Sequence, residues 1–140
     1  MKLEEVHEFM KNLEVVSMAT LEGDQPRVRI MALISHNDNY WCCTIASRSK
    51  MAQFKANEKF EFCSIIRKNE SLGSIRAQGR AQIIQDFAVK KELSKVIPFF
   101  GGYWKNHKDP KFGLIRLDIN KIEVQSPYDK KFYKFDILKN

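Results

Sequence analysis

The chain has no run of apolar residues long enough to cross a bilayer, so no membrane-spanning helix is expected. Its opening residues, MKLEEVHEF, carry acidic side chains and lack the apolar core of a signal peptide. Cysteine is scarce: there are 3, two of them adjacent at Cys42 and Cys43, with no CxxC pair and no Cys/His metal spacing. That excludes a disulfide framework and a zinc module. It points to reduced thiols in a cytoplasmic protein, with Cys42, Cys43 and Cys63 in apolar strands, the setting of inert core thiols. The 6 glycines form no phosphate-binding loop, and Gly101-Gly102 is too short to be one by itself. No GxGxxG, Walker loop, HExxH or Ser/His/Asp arrangement appears. Linkers, low-complexity segments and internal repeats are absent too.

What is present is an ordinary globular composition. The 140 residues fit one domain, 1–140, with a sizeable core, and they are 44% hydrophobic and 29% charged. The net charge of +7, from 24 basic and 17 acidic residues, permits an anionic partner: nucleic acid, an acidic membrane surface or a phosphorylated small molecule. The lysines are spread along the chain rather than gathered on one run, which argues against nucleic acid.

Taken in order, Leu3 to Leu13 reads as an amphipathic helix with Leu3, Val6, Met10 and Leu13 on one stripe. His7 beside it reads as a surface or packing histidine. Val15 to Leu21 and Arg27 to Ser35 read as strands around the turn Glu22–Pro26, the second alternating Arg27, Arg29 and Met31 with Val28, Ile30 and Ala32. Tyr40 to Ile45 is a third strand, with Trp41 a core residue. Short connections favour an antiparallel meander for these three. Phe60 to Ile66 is a fourth strand. Gly73 to Gln85 is long for one strand, and Gly79 in its middle suggests a bulge or bend. Phe87 to Ile97 reads as a second amphipathic helix, capped by Asp86 and stopped by Pro98, with either Phe87, Leu93 and Ile97 or Val89, Leu93 and Val96 inward. Phe99 to Lys111, with two glycines and four aromatics, makes no core element and reads as a functional flap or a piece of an interface. Gly113 to Gln125 and Phe132 to Ile137 complete a mainly β chain with inserted helices, a six- to seven-stranded antiparallel barrel.

Chemistry concentrates between Thr44 and Asn57. A β-type run, YWCCTI, feeds a polar turn, Ala46-Ser47-Arg48-Ser49, and then a short helix with Met51 and Phe54 on one face. Ser47 and Ser49 are both N-cap types. Arg48 and Lys50 add positive charge where helix N–H groups are unpaired and the dipole is positive. The combination suits a phosphate. An ordinary strand-to-helix turn with surface cations has the same residues.

Four pieces of the sequence, in this order and spacing, resemble the pyridoxamine-phosphate-oxidase-like split β-barrel flavoproteins, and among them the small general-stress-protein and nitroimidazole-resistance-like members. They are VVSMATLEGDQPRVRIM after the first helix, the strand ending at Thr44 with the Ser49-Lys50 turn and Asn57, the Gln78-Gly79-Arg80-Ala81 strand, and FGLIRLDINKIEV. The resemblance covers nearly the whole chain. It implies a homodimer with two equivalent sites between barrels and FMN in each. Carried over, Arg29 and Lys50 contact the flavin phosphate and Ser49 adds a hydroxyl, with Arg48 in a register that can shift by one. The backbone from Arg29 through Ile30 and Met31 to Leu33 borders the isoalloxazine ring, and Thr44 lies close to it. Trp104 and Tyr103 either cover the flavin or line a substrate pocket, unless they pack in the dimer interface. The larger oxidases hold pyridoxal phosphate with a C-terminal Arg/Pro/Trp segment that KIEVQSPYDKKFYKFDILKN does not match, so their substrate is not expected here.

The reading that follows is an FMN-dependent oxidoreductase that uses reduced nicotinamide, NADH or NADPH, to reduce a small-molecule acceptor. Its rivals are a flavin- or haem-binding stress protein without turnover and a basic nucleic-acid-binding barrel, whose affinity would fall steeply with salt.

Overall fold

Helix α1 (Leu3–Lys11) forms where acidic Glu4 and Glu5 meet the positive end of the helix dipole and Lys11 meets the negative end. The Glu5 carboxylate accepts the Lys2 backbone N–H at 3.0 Å. Val6 and Met10, one turn apart, are fully buried and fasten the helix to the sheet. The computed structural model describes residues 1–47 and 49–137, with the backbone alone for Ser49 and Lys50.

The strands are β1 (Val15–Glu22), β2 (Gln25–Ala32), β3 (Ile34–His36), β4 (Asn39–Ile45), β5 (Lys59–Lys68), β6 (Ser71–Ile84), β7 (Phe112–Gln125) and β8 (Phe132–Asp136). The helices α2 (Ser49–Ala56) and α3 (Phe87–Val96) and a 3-10 turn at Phe100–Gly102 are inserted between them. Among the described residues the strands make one antiparallel sheet in the order β2-β1-β5-β6-β7-β4-β3, with β8 added on β7. Curled, this is a split β-barrel, as expected. The expected run Arg27–Ser35 is two strands, divided at Leu33, where the β1–β2 ladder ends with the Leu33 N–H on the Glu14 carbonyl at 3.1 Å.

The meander expected for the first three strands is not what forms. β1 and β2 make one hairpin and β3 and β4 another, but β1 pairs onward with β5 and β4 with β7. The two hairpins therefore occupy opposite ends of the sheet. Local connection length decides the hairpins, and non-local pairing decides where they sit.

The turns follow their residues. Asn37 and Asp38 take φ of 51° and 58° between β3 and β4, and Asn69 takes 56° between β5 and β6. The long β6 breaks register between Gln78 and Gly79, so the expected irregularity is a β-bulge. Asp86 caps α3, accepting from the N–H groups of Ala88 at 2.8 Å and Val89 at 3.3 Å. The inward face of α3 combines the two expected stripes: Leu93 and Ile97 are buried and Val89 packs beside them, whereas Phe87 and Val96 are exposed.

One core fills the barrel, built on Phe62, Ile75, Ile115, Leu117 and Ile122 with Val6 and Met10 from α1. A second, under α3, gathers Ile34, Trp41, Leu93, Ile97, Trp104, Phe112 and Leu114. Cys42 is buried as expected; Cys43 is only half-buried and Cys63 is exposed. The Cys63 expectation fails because that residue lies on the outward side of β5, opposite Ser17, while Phe62 takes the core.

Candidate functional site: the seam of the barrel

β2 and β4 lie near the two open ends of the sheet, and the curl brings them together. On β2 the alternation has an unexpected sense. Val28 and Ile30 point outward, 69% and 68% exposed, while Arg29 and Met31 point inward. An arginine on the inner face and two β-branched residues on the outer one invert the usual partition. Both halves of that inversion bear on the site.

Between the two strands runs a cleft of about 460 Å³, lined by Ile30, Met31 and Ala32 of β2 and by Cys43, Thr44 and Ile45 of β4. Phe99, Tyr103 and Trp104 close its third side. Its size is that of a small-molecule site. Among the described residues β2 pairs only with β1, so its other edge presents backbone N–H and C=O groups toward the cleft. Thr44 is buried in the wall.

The aromatic wall is fixed rather than loose. Trp104 is buried, donates from Nε1 to the Lys111 carbonyl at 2.9 Å, and packs against Phe112 at 4.9 Å and Phe100 at 5.3 Å between ring centres. The expected flap is thus anchored at Trp104 to the second core, and Tyr103 is the exposed ring at the mouth.

From β4 the chain passes the turn at Ala46 and Ser47 into α2. The helix lies close against β7 because Gly113 has no side chain: a Cβ there would meet Met51 Cε at 2.5 Å and the Thr44 carbonyl at 3.0 Å. Met51 and Phe54, the expected shared face, are both buried. The backbone of Ser49 and Lys50 makes the first turn of α2. Arg48 lies outside the described residues.

Arg29 joins β2 to this helix. Its Nη1 donates to Thr20 Oγ1 at 2.8 Å and its Nη2 to Gln53 Oε1 at 2.7 Å. The Thr20 hydroxyl donates to the same Gln53 oxygen. Gln53 Nε2 in turn donates to Glu22 Oε2 at 3.1 Å. Burial, and then the charge of Arg27, push the Arg29 pKa down, which marks an electropositive and partly desolvated spot.

The structure thus brings Ile30, Met31, Thr44 and Trp104 to one cleft, and ties Arg29 to the helix that Ser49 and Lys50 begin. Leu33 is apart from them: its side chain joins the barrel core and its N–H is taken by Glu14. Sequence reasoning missed Thr20, Gln53 and Cys43. A buried glutamine carries no periodic signal; the one hint was that Gln53 falls four residues after Ser49, on the same helix face.

A hollow of about 470 Å³, slightly larger, lies on the outer face of the sheet among Val15, Ile30, Cys63, Ile65 and Phe132. Among the described residues it gathers no buried polar group of the kind that surrounds Arg29. Ile30 lines both hollows, so the outer apolar face runs continuously into the cleft.

Residues 3–126 match the family model described as pyridoxamine 5'-phosphate oxidase. No curated protein matches the chain in sequence. Among solved structures, a NimC/NimA family protein from Clostridium acetobutylicum superposes with a TM-score of 0.76 at 20% identity, covering 95% of this chain and 93% of its own. General stress protein 26 from Bacillus anthracis gives 0.73 at 16% identity, covering 94% and 97%. A heme binding protein from Mycobacterium smegmatis gives 0.79 at 10% identity, covering 95% of this chain but 57% of its own. At these identities the likeness is one of fold.

Proposed function

Because the chain belongs to the pyridoxamine 5'-phosphate oxidase family, we propose that it is an FMN-binding flavoprotein, and that it uses a reduced nicotinamide to reduce a small acceptor. The observation that carries this reading is Arg29. An arginine turned inward on β2, held by the neutral oxygens of Thr20 and Gln53, is a cation prepared for an anion. It is joined to α2, whose first turn offers unpaired N–H groups and the positive end of a dipole. An apolar cleft with exposed strand backbone begins at the next residue of β2, Ile30. A phosphate at one end and a flat ring with polar edges at the other is the ligand that suits both.

In this reading Arg29, Ser49, Lys50 and Arg48 hold the phosphate. The β2 edge at Ile30 and Met31 offers backbone partners to the ring, Thr44 supports it, and Trp104 limits the water that reaches it. When bound, the flavin would supply the redox chemistry. The chain's own part is to bind, orient and shield.

A second copy of the chain fits the outer face. Val15, Val28, Ile30, Ile65 and Phe132 are all exposed there, a density of apolar side chains that a lone barrel would not leave in water. Since Ile30 belongs to both the face and the cleft, a partner seated on the face would complete the site.

Haem, suggested by the heme-binding neighbour, is less well served. Among the described residues the cleft lining includes no histidine. His7 is bonded to Tyr40, His36 to Glu92, and His107 packs on Phe87. The experiment is the visible spectrum of the purified protein, with release and mass measurement of what is bound. Flavin bands with the mass of FMN support the reading. A Soret band, or a protein that stays colourless after incubation with FMN, overturns it.

A further inference from the structure

Arg29 stands near a carboxylate and yet is not paired with it. Among the described residues the ion pair of Glu22 is with Arg27, at 3.5 Å. Between Arg29 and Glu22 stands Gln53, 5% exposed, with its carbonyl oxygen on Arg29 and its NH2 on Glu22. That orientation is forced. A guanidinium has only donors and a carboxylate only acceptors, so the amide must turn its oxygen to the first and its nitrogen to the second. Thr20, 3% exposed, accepts from the other terminal nitrogen and sends its own proton to Gln53.

A carboxylate of the same shape at position 53 would give Arg29 a charged partner, the more usual arrangement for a partly buried arginine. The neutral amide does something different. It fixes one end of the guanidinium while Thr20 fixes the other, one hydrogen bond each, and it holds the Glu22 charge one side chain away. Among the described residues the cation therefore has no carboxylate in direct contact, and Glu22 acts on it only from a distance. We infer that Gln53 is a positioning residue, which insulates Arg29 from Glu22 and aims its remaining N–H donors at the phosphate of the bound ligand. This inference rests on the flavin-phosphate reading given above.

The test compares FMN with riboflavin, which lacks the phosphate. Wild type, Arg29→Ala, Gln53→Glu and the double exchange Gln53→Glu with Glu22→Gln are titrated at fixed salt, and each is melted without ligand. The double exchange conserves the number of carboxylates and removes the repulsion between neighbouring ones that the single exchange creates, so it serves if the single variant folds poorly. The expected result is FMN binding weakened about tenfold or more in the Gln53→Glu variants, the loss of one charge-assisted contact, with riboflavin affinity and melting temperature held. That split is one a merely structural role would not produce. Equal losses for both flavins would overturn the inference. So would unchanged FMN affinity in the Gln53→Glu variants while Arg29→Ala is weakened, which would leave the phosphate clamp standing. If wild type takes no FMN, or Arg29→Ala binds it as wild type does, the flavin-phosphate reading fails and the inference with it.

Discussion

Gly79 faces the backbone carbonyl of Asp118 across β6 and β7 with no room for a side chain. The register of the pair breaks at this point, where β7 carries the extra residue, Asn120, and the bulge lets β7 bend with the barrel. A neighbour that is backbone in a central strand pair cannot swing aside. Gly79→Ala is therefore expected to cost about 1–3 kcal/mol or more in urea denaturation. Gly101→Ala, with open space around the position, is expected to stay within about 0.5 kcal/mol of wild type. Equal stability of the two variants would show that the β6–β7 bulge can relax.

The second prediction concerns acid. The His7 and Tyr40 rings stack, with Nδ1 of His7 2.8 Å from the Tyr40 hydroxyl. Burial pushes the His7 pKa below its ordinary value, and Lys11 adds to this against the opposing pull of Glu4 and Asp38. Burial also pushes the Tyr40 phenol up to about 12, with Asp38 and Glu8 contributing. A depressed histidine binds fewer protons folded than unfolded. Its contribution is therefore present above the unfolded value of about 6.5 and is lost as pH falls through the folded pKa. Tyr40 works with the opposite sign, losing its contribution as pH rises from about 10 toward 12. Between about pH 7.5 and 5, His7→Gln should lose less melting temperature than wild type. Parallel curves for the two would remove His7 from the acid response.

The third prediction addresses the outer face. Ile65 is 64% exposed and lines the outer hollow, away from the cleft. Ile65→Glu should leave the monomer fold intact and break association, because a carboxylate buried between copies costs several kcal/mol. Sedimentation should then show a dimer for wild type and a monomer for the variant, with weaker flavin retention in the latter. A wild-type monomer that holds flavin would dismiss the shared site.

How much of this was legible in the sequence depends on the range of the forces involved. The Asp86 cap, the Gly79 bulge and the Val6–Met10 stripe were readable, because each is decided within a few residues. The placing of β2 and β4 at opposite ends of the sheet was not. Hairpin lengths say nothing about β1 choosing β5 or β4 choosing β7. The same gap hid the sense of β2: its alternation was plain, but which half faced inward depended on the barrel's curl. Arg29 was singled out by resemblance, while Gln53, which holds it, was invisible until the fold brought residues 29 and 53 together.

The last prediction separates a specific phosphate contact from general charge. Lys50 stands in the first turn of α2, where the helix N–H groups and dipole also favour an anion. Lys55 stands in the last turn of the same helix, so its removal changes net charge equally without touching that end. One charge-assisted hydrogen bond is worth roughly 1.5–3 kcal/mol. Lys50→Ala should therefore weaken FMN by about ten- to a hundredfold. Riboflavin, with no phosphate, should bind Lys50→Ala as it binds wild type, and Lys55→Ala should bind both ligands nearly as wild type does. Titration of the three proteins at fixed ionic strength checks this, and repeating it at higher salt sharpens it, since long-range charge is screened beyond about 8–10 Å and a direct contact is screened much less. Equal small losses for Lys50→Ala and Lys55→Ala, both vanishing with salt, would reduce the contribution of Lys50 to net charge and leave Arg29 to hold the phosphate without it.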